Sequence, residues 1–261
     1  MYDFELIRPK TLAEALTALA EEDAQALGGG QTLIPTLKAR LAMPASLVCL
    51  SGLAEISGLS LADDGSLCIG GAAPHADVAR DPRFPALAAL AGGIGDPAVR
   101  TRGTVGGSVA NNDPSACYPA AVLACGATVV TQNRDIAAED FFTGLFETDL
   151  AEGEIITEIR FPIPARAAYV KFEQQASRFA LVGVFVADFG AGDVRVAVTG
   201  ASGSGVFRWA EAEAALAQNF ASEALDGLTL DAEGMISDAH GSGEYRAHLV
   251  GVMAKRAVAR A

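Results

Sequence analysis

Leu27-Gly28-Gly29-Gly30-Gln31-Thr32-Leu33-Ile34 is the stretch on which the reading of this chain turns, and Arg102-Gly103-Thr104-Val105-Gly106-Gly107-Ser108-Val109-Ala110-Asn111-Asn112-Asp113-Pro114 is its counterpart about 75 residues on. The first lies between a short expected strand, Ala24–Leu27, and a helix expected to run from a Thr32 cap to about Leu41, with Pro35 in its tolerant first turn. Successive glycines let a backbone pass close to a ligand and turn its N–H groups inward, and a helix start adds free donors for an anion such as phosphate. The same pattern also fits a tight strand–helix turn that holds nothing, so spacing alone leaves both readings open. In the second stretch Thr104 and Ser108 flank Gly106 and Gly107, while Asn111, Asn112 and Asp113 offer amides and a carboxylate suited to sugar or ring edges. It too is expected to lead into a helix, Ser115–Ala124. Two such loops suggest convergence on a pyrophosphate. Neither is a G-x-x-x-x-G-K-[ST] phosphate loop nor a G-x-G-x-x-G fingerprint. The later run Gly200-Ala201-Ser202-Gly203-Ser204-Gly205 follows a strand and reads as a turn or surface contact.

Working outward, Met1 to about Ser51 reads as a βαβαβ-like unit: Thr11 caps a helix Leu12–Ala20 with Glu14 completing a capping box, and Ser46–Leu50 is a strand. From about 52 to Pro164, strands are expected at Leu67–Ile69, Ala127–Gln132 and Ile155–Phe161, with helices at Pro74–Val78 and Pro85–Ala91. Pro162 and Pro164 mark a boundary. Beyond it, strands Tyr169–Gln174, Leu181–Phe189 and Val194–Thr199 give way to helices Trp209–Phe220 and Tyr245–Ala261, and Gly190-Ala191-Gly192-Asp193 signals a hairpin. The expectation is an α+β chain: residues 1–164 in two subdomains, 1–51 and 52–164, and then 165–261 as an antiparallel sheet with helices on one face.

The 261 residues are enough for roughly two domains and a real core without disulfides. With 19 Lys and Arg against 32 Asp and Glu, the net charge of −13 argues against nucleic acid or an anionic membrane surface as partner. The longest apolar candidate, Tyr118–Val130, is broken by Pro119 and Gly126, so no transmembrane helix is expected. The N-terminus carries no basic-then-apolar leader pattern, and Cys49, Cys68, Cys117 and Cys125 fit no metal-ligand spacing. A cytoplasmic protein with reduced thiols, no metal and no catalytic triad or carboxylate pair is the expectation.

The two glycine stretches together resemble the FAD-binding medium subunit of the molybdenum hydroxylases, the family of bacterial carbon monoxide dehydrogenase and xanthine dehydrogenase. The resemblance extends to Tyr2-Asp3-Phe4-Glu5, Arg8-Pro9-Lys10-Thr11, Glu154-Ile155-Ile156-Thr157-Glu158-Ile159-Arg160-Phe161-Pro162 and the C-terminal Tyr245–Leu249 and Lys255–Val258 stretches, nearly the whole chain. It implies FAD as cofactor, wrapped by Leu27, Gly28, Gly29, Gly30, Gln31, Thr32 and Leu33 from one side and by Thr104, Val105, Gly106, Gly107, Ser108, Asn112 and Asp113 from the other. Ile156 and Lys171 match positions that touch the cofactor, although Lys171 also reads as a surface strand lysine. Phe179 reads either as an aromatic near the flavin ring or as a core residue. Gln31 stands where the family pattern has His, Ser108 where it has Asn, and Cys117 where relatives commonly carry Asp, which puts that cofactor contact in doubt.

The resemblance further implies an electron-transfer subunit. It would take electrons from a [2Fe-2S] small subunit, served by a molybdenum-cofactor large subunit, and pass them to an external acceptor. The implied assembly is a heterotrimer dimerised to a heterohexamer. Two alternatives stand beside it. One is a standalone flavin oxidase of the vanillyl-alcohol-oxidase type, for which the stretch after Pro164 is short, and in which His75 would be a flavin attachment point rather than a solvated surface histidine. The other is a cofactor-free assembly subunit.

Overall fold

The computed structural model describes residues 1–261. Its first unit is β1 (Glu5–Ile7), α1 (Leu12–Leu19), β2 (Ala24–Leu27), α2 (Leu33–Lys38) and β3 (Ser46–Cys49), with the strands parallel in the order β1-β3-β2. Parallel pairing brings the C-terminal ends of β2 and β3 to one edge, the edge where such sheets take ligands, and Gly28–Thr32 leaves β2 there. Thr11 caps α1 as expected, its Oγ1 accepting from Glu14 N at 3.2 Å, but the Glu14 carboxylate turns back to Lys10 N rather than to the cap residue. Thr32 makes no side-chain capping bond, and α2 stops at Lys38, short of Leu41, because Arg40 turns left-handed at φ 60°.

The second unit runs β4 (Leu59–Leu61), β5 (Leu67–Gly70), α3 (His75–Val78), α4 (Pro85–Gly92), α5 (Pro97–Arg100), α6 (Val105–Asn111), α7 (Tyr118–Cys125), β6 (Thr128–Thr131), β7 (Asp135–Ala137), α8 (Ala138–Phe141), β8 (Phe142–Gly144), β9 (Glu147–Thr148) and β10 (Ile156–Phe161). Its main sheet is antiparallel, β4-β5-β10-β6-β7, and the pairing of β10 with β6 slips at a bulge between Ile156 and Glu158. Two expectations shift here. A helix, α6, begins inside the second glycine stretch with Thr104 as its cap, and the next helix starts at Tyr118, leaving Asp113–Cys117 as a loop. The small-residue face of α7 is buried all round, which only a helix inside a core tolerates.

The third unit, β11 (Arg166–Glu173), β12 (Ala180–Asp188), β13 (Val194–Thr199), β14 (Phe207–Arg208), α9 (Ala210–Gln218) and α10 (Gly243–Val258), is an antiparallel sheet in sequence order. The chain is α+β throughout, with three main sheets. On one face of this last sheet, Val182, Val184 and Val186 pack with Trp209, Leu249 and Met253 from the helical side. On the other, Phe185, Ala187 and Ala197 join the core built by α4 and α7 of the second unit. Every residue of β12 is therefore buried, which is why it reads as an unbroken apolar run instead of alternating. This two-sided burial presses the third unit against the loops of the second.

Candidate functional site

The three units enclose a cleft of about 600 Å³, within the usual range of small-molecule sites. Gly28, Gly29, Gly30, Gln31, Thr32 and Leu33 line it from the first unit; Thr104, Gly106, Gly107, Ser108, Asp113 and Ile156 from the second; and Lys171 from the third. The remaining three candidates sit elsewhere. Val105 is fully buried in the core. Asn112, left-handed at φ 41°, spends its amide on Gly144 O at 2.8 Å and Glu147 O at 2.9 Å, tying down the β8–β9 hairpin. Leu27 ends β2, half-buried, behind the glycines.

The two glycine stretches touch each other. A Cβ on Gly29 would fall 1.9 Å from Arg102 O, and one on Gly28 would fall 2.8 Å from Thr104 Oγ1. Gly103 lies on the His75 ring and Gly106 on Gly71, each too close for a side chain. The missing side chains thus serve loop-to-loop contact. Their hydrogen bonding is unequal. In the second stretch Val105 N donates to Ala73 O, Gly106 N to Gly71 O and Gly107 N to Thr104 Oγ1. In the first, none of the N–H groups of Gly28 through Leu33 donates within the chain, so a consecutive row of donors lines the cleft unpaired. Such a row suits the oxygens of a phosphate. The Gln31 amide folds back onto Gly29 O at 3.2 Å and braces the loop.

The wall opposite is polar but tightly held. Lys171 is largely withdrawn from solvent, not a surface lysine: only 9% of its side chain is exposed, Nζ donates to Gly93 O at 2.8 Å and to Arg178 O, and the Glu173 carboxylate lies 3.8 Å away. Cys117 Sγ lies 3.9 Å from that ammonium. Burial pushes the Cys117 thiol up, and Lys171 opposes it, so Cys117 stands as a neutral thiol. The loop carrying Asp113, Ser115 and Cys117 is anchored from the third unit, where Thr199 Oγ1 lies 2.8 Å from both Pro114 O and Ala116 O and Gly200 N donates to Pro114 O at 2.7 Å. The Gly200 run is therefore an internal contact at its first residue. Phe179, 52% exposed, stands on the rim of the cleft and is no core residue.

Sequence reasoning placed His75 on the surface; it is 5% exposed, lines the cleft, and packs beside Tyr118 with ring centroids 5.3 Å apart. Burial, with Arg100 nearby, depresses it to about 4, so the imidazole is neutral. Glu154, Ile155 and Leu150 also line the cleft and were missed as site residues. Of these only Glu154 and Ile155 had a signal, their place directly before Ile156.

A row of unpaired backbone donors, in a cleft closed by a second hydroxyl-flanked glycine stretch, defines a binding protein for a phosphate-bearing cofactor. The family model described as the FAD binding domain in molybdopterin dehydrogenase matches residues 2–164. The chain belongs to that family: it is an oxidoreductase subunit, the FAD-binding medium subunit of the molybdenum hydroxylases, and FAD is its cofactor. It is 33% identical to the carbon monoxide dehydrogenase medium chain of Afipia carboxidovorans, over 99% of this chain and 96% of that one. It is also 33% identical to the nicotine 6-hydroxylase medium subunit of Paenarthrobacter nicotinovorans, over 97% and 95%. Among solved structures, reconstituted CO dehydrogenase from Oligotropha carboxidovorans superposes with a TM-score of 0.88 at 30% identity, covering 100% of this chain and 98% of that one. No helix is long and apolar enough to cross a membrane.

Proposed function

We propose that this chain is the electron-transfer flavoprotein subunit of a cytoplasmic molybdenum hydroxylase, taking electrons from [2Fe-2S] clusters on a small subunit and passing them to an external acceptor. The molybdenum cofactor sits on a large subunit, and the heterotrimer dimerises to a heterohexamer. The observation that carries the reading is the unpaired donor row of Gly28–Leu33 facing a cleft that Thr104–Ser108 and Lys171 close. When bound, FAD supplies the electron-carrying chemistry; the chain binds and orients it and sets its electrostatics. The Gly28–Leu33 amides hold the pyrophosphate, with Ser108 and Asp113 as further polar contacts. Ile156 would line the cofactor, and Lys171, largely withdrawn from solvent, places a positive charge in the same wall, where it would favour a ligand gaining negative charge. Leu27, Val105 and Asn112 act from behind, shaping the two loops. The chain divides functionally at Pro164, residues 1–164 carrying the glycine loops and 165–261 the Lys171 wall.

The test is to express the chain alone, confirm its flavin content, and assay dye reduction with aldehydes, purines and carbon monoxide, beside the three-chain complex. The expected result is a flavin-loaded chain that reduces no dye by itself and a complex that does. Turnover by the single chain would favour the standalone oxidase, and a chain that takes up no flavin would favour the assembly subunit.

A further inference from the structure

One wall of the cleft has no regular structure to hold it. Between β9 and β10 the chain runs from Asp149 to Ile155 with neither helix nor strand, yet Leu150, Glu154, Ile155 and Ile156 all line the cleft. What fixes this segment is a set of side chains on the β6–β7 turn, outside the cleft. Arg134 reaches Asp149 twice, Nη1 donating to Oδ2 at 2.8 Å and Nη2 to the backbone carbonyl. It also forks onto Glu154, with Nε to Oε1 and Nη2 to Oε2 both at 3.1 Å. Thr131 Oγ1 lies 2.7 Å from Glu154 Oε1, and Ala151 N donates to Oε2 at 2.8 Å. Gln132 Oε1 accepts from Ile155 N at 2.8 Å.

The Glu154 carboxylate is thereby fully engaged: each oxygen already accepts two hydrogen bonds, and its side chain is 1% exposed. Buried behind the cleft wall, it has no free lone pair to offer a ligand. Its role is to lock the wall, and Arg134 is the group that locks it. We infer that Arg134, through Glu154 and Asp149, is a positioning residue for the FAD site: it sets the Leu150–Ile156 wall against the cofactor without touching it. The inference rests on the reading of this cleft as the FAD site.

The Arg134–Asp149 pair is half-exposed and contributes little to global stability, but Glu154 is 1% exposed, so removing Arg134 leaves a buried carboxylate without its cation and should lower the melting temperature as well; the flavin readouts therefore decide the inference. Arg134 and Glu154 act as one unit, so their effects should not add.

The experiment measures FAD affinity by flavin fluorescence, together with the visible circular dichroism of the bound flavin, for the full chain and for Arg134→Ala, Arg134→Lys, Glu154→Gln and the Arg134→Ala/Glu154→Gln pair. The melting temperature without FAD is recorded for each. The expected result is that Arg134→Ala weakens FAD by about tenfold or more and alters the flavin dichroism. Arg134→Lys should recover part of the loss, and the double variant should be no worse than Arg134→Ala alone. A pH signature should accompany it. Arg134 is the main cause that holds the Glu154 carboxyl down at about 2, with Asp149 the other charged group sharing that guanidinium. In Arg134→Ala the Glu154 carboxyl should rise from about 2, with the Ala151 and Thr131 hydrogen bonds still holding it down in part, so any acid loss of FAD affinity should set in at higher pH than in the unaltered chain. Wild-type affinity and dichroism in Arg134→Ala would overturn the inference, as would a lowered melting temperature with no change in affinity. If Arg134→Ala fails to fold, Asp149→Asn, which removes the half-exposed Arg134–Asp149 ion pair and breaks no other side-chain bond of Asp149, decides the question by the same two readouts. Failure of the unaltered chain to bind FAD would overturn the site reading itself, and this inference with it.

Discussion

The carbonyl oxygen of Arg102 occupies the place a side chain on Gly29 would need, 1.9 Å from where its Cβ would stand. The neighbour is backbone, so no rotamer change relieves the clash. Gly29→Ala must part the two glycine stretches at the point where they meet. The expected outcome is a stability loss of about 1–3 kcal/mol, as for other overpacked sites, and FAD affinity reduced by roughly tenfold or more. Urea unfolding and a fluorescence titration with FAD check the two arms. Unchanged affinity would mean that the loop contact does not shape the cofactor site.

Cys117 offers a second handle. Its thiol lies 3.9 Å from the Lys171 ammonium, and burial keeps it protonated. Cys117→Asp offers the cofactor a charged acceptor, kept ionised by the neighbouring Lys171 ammonium, and should tighten FAD by at most about 1.5–3 kcal/mol. Adding Lys171→Met should abolish the gain and leave affinity below that of Lys171→Met alone, because the carboxylate would then be buried without a partner. A double-mutant cycle on FAD affinity reads this coupling. Weaker binding by Cys117→Asp alone would show that the thiol is fitted to its surroundings.

His75 sets an expectation for pH. Buried and held at about 4 against an ordinary 6.5, it resists protonation in the folded chain while the unfolded chain takes up the proton freely. The stability this neutral imidazole contributes is complete above pH 6.5 and is lost as pH falls through that value toward 4, by about 3 kcal/mol at most. His75→Phe, which keeps the ring beside Tyr118 and removes the titration, should flatten the profile in that window. Urea midpoints at pH 7, 5.5 and 4.5 for both forms make the comparison. Parallel profiles would show that another group carries the acid sensitivity.

What the sequence made legible was local. Ala24–Leu27, Val194–Thr199 and the Thr11 cap follow from short-range patterns of polarity and hydroxyl placement, and the structure has them at those positions. The helix ends moved where a single backbone conformation decided them, as at left-handed Arg40 below α2. The α6 start was hidden because Thr104-Val105-Gly106-Gly107 has poor intrinsic helix propensity. It is helical because Thr104 caps it and the Ala73 and Gly71 carbonyls take its first donors, both tertiary neighbours except for the cap.

By itself, the sequence determined the α+β class, the order of the units and the two glycine stretches, because strand and helix periodicity and glycine placement are properties of adjacent residues. Tertiary structure alone decided which of those residues line the cleft and how they are spent. Composition could not show that the donors of Gly28–Leu33 stay free while those of Val105–Gly107 are consumed, since the acceptors Ala73 and Gly71 lie some thirty residues away. Nor could it show that His75 is buried, that Lys171 is drawn in from solvent or that Arg134 reaches Asp149 and Glu154. Burial and hydrogen bonding are set by which distant segments fold against one another, and no local spacing encodes that.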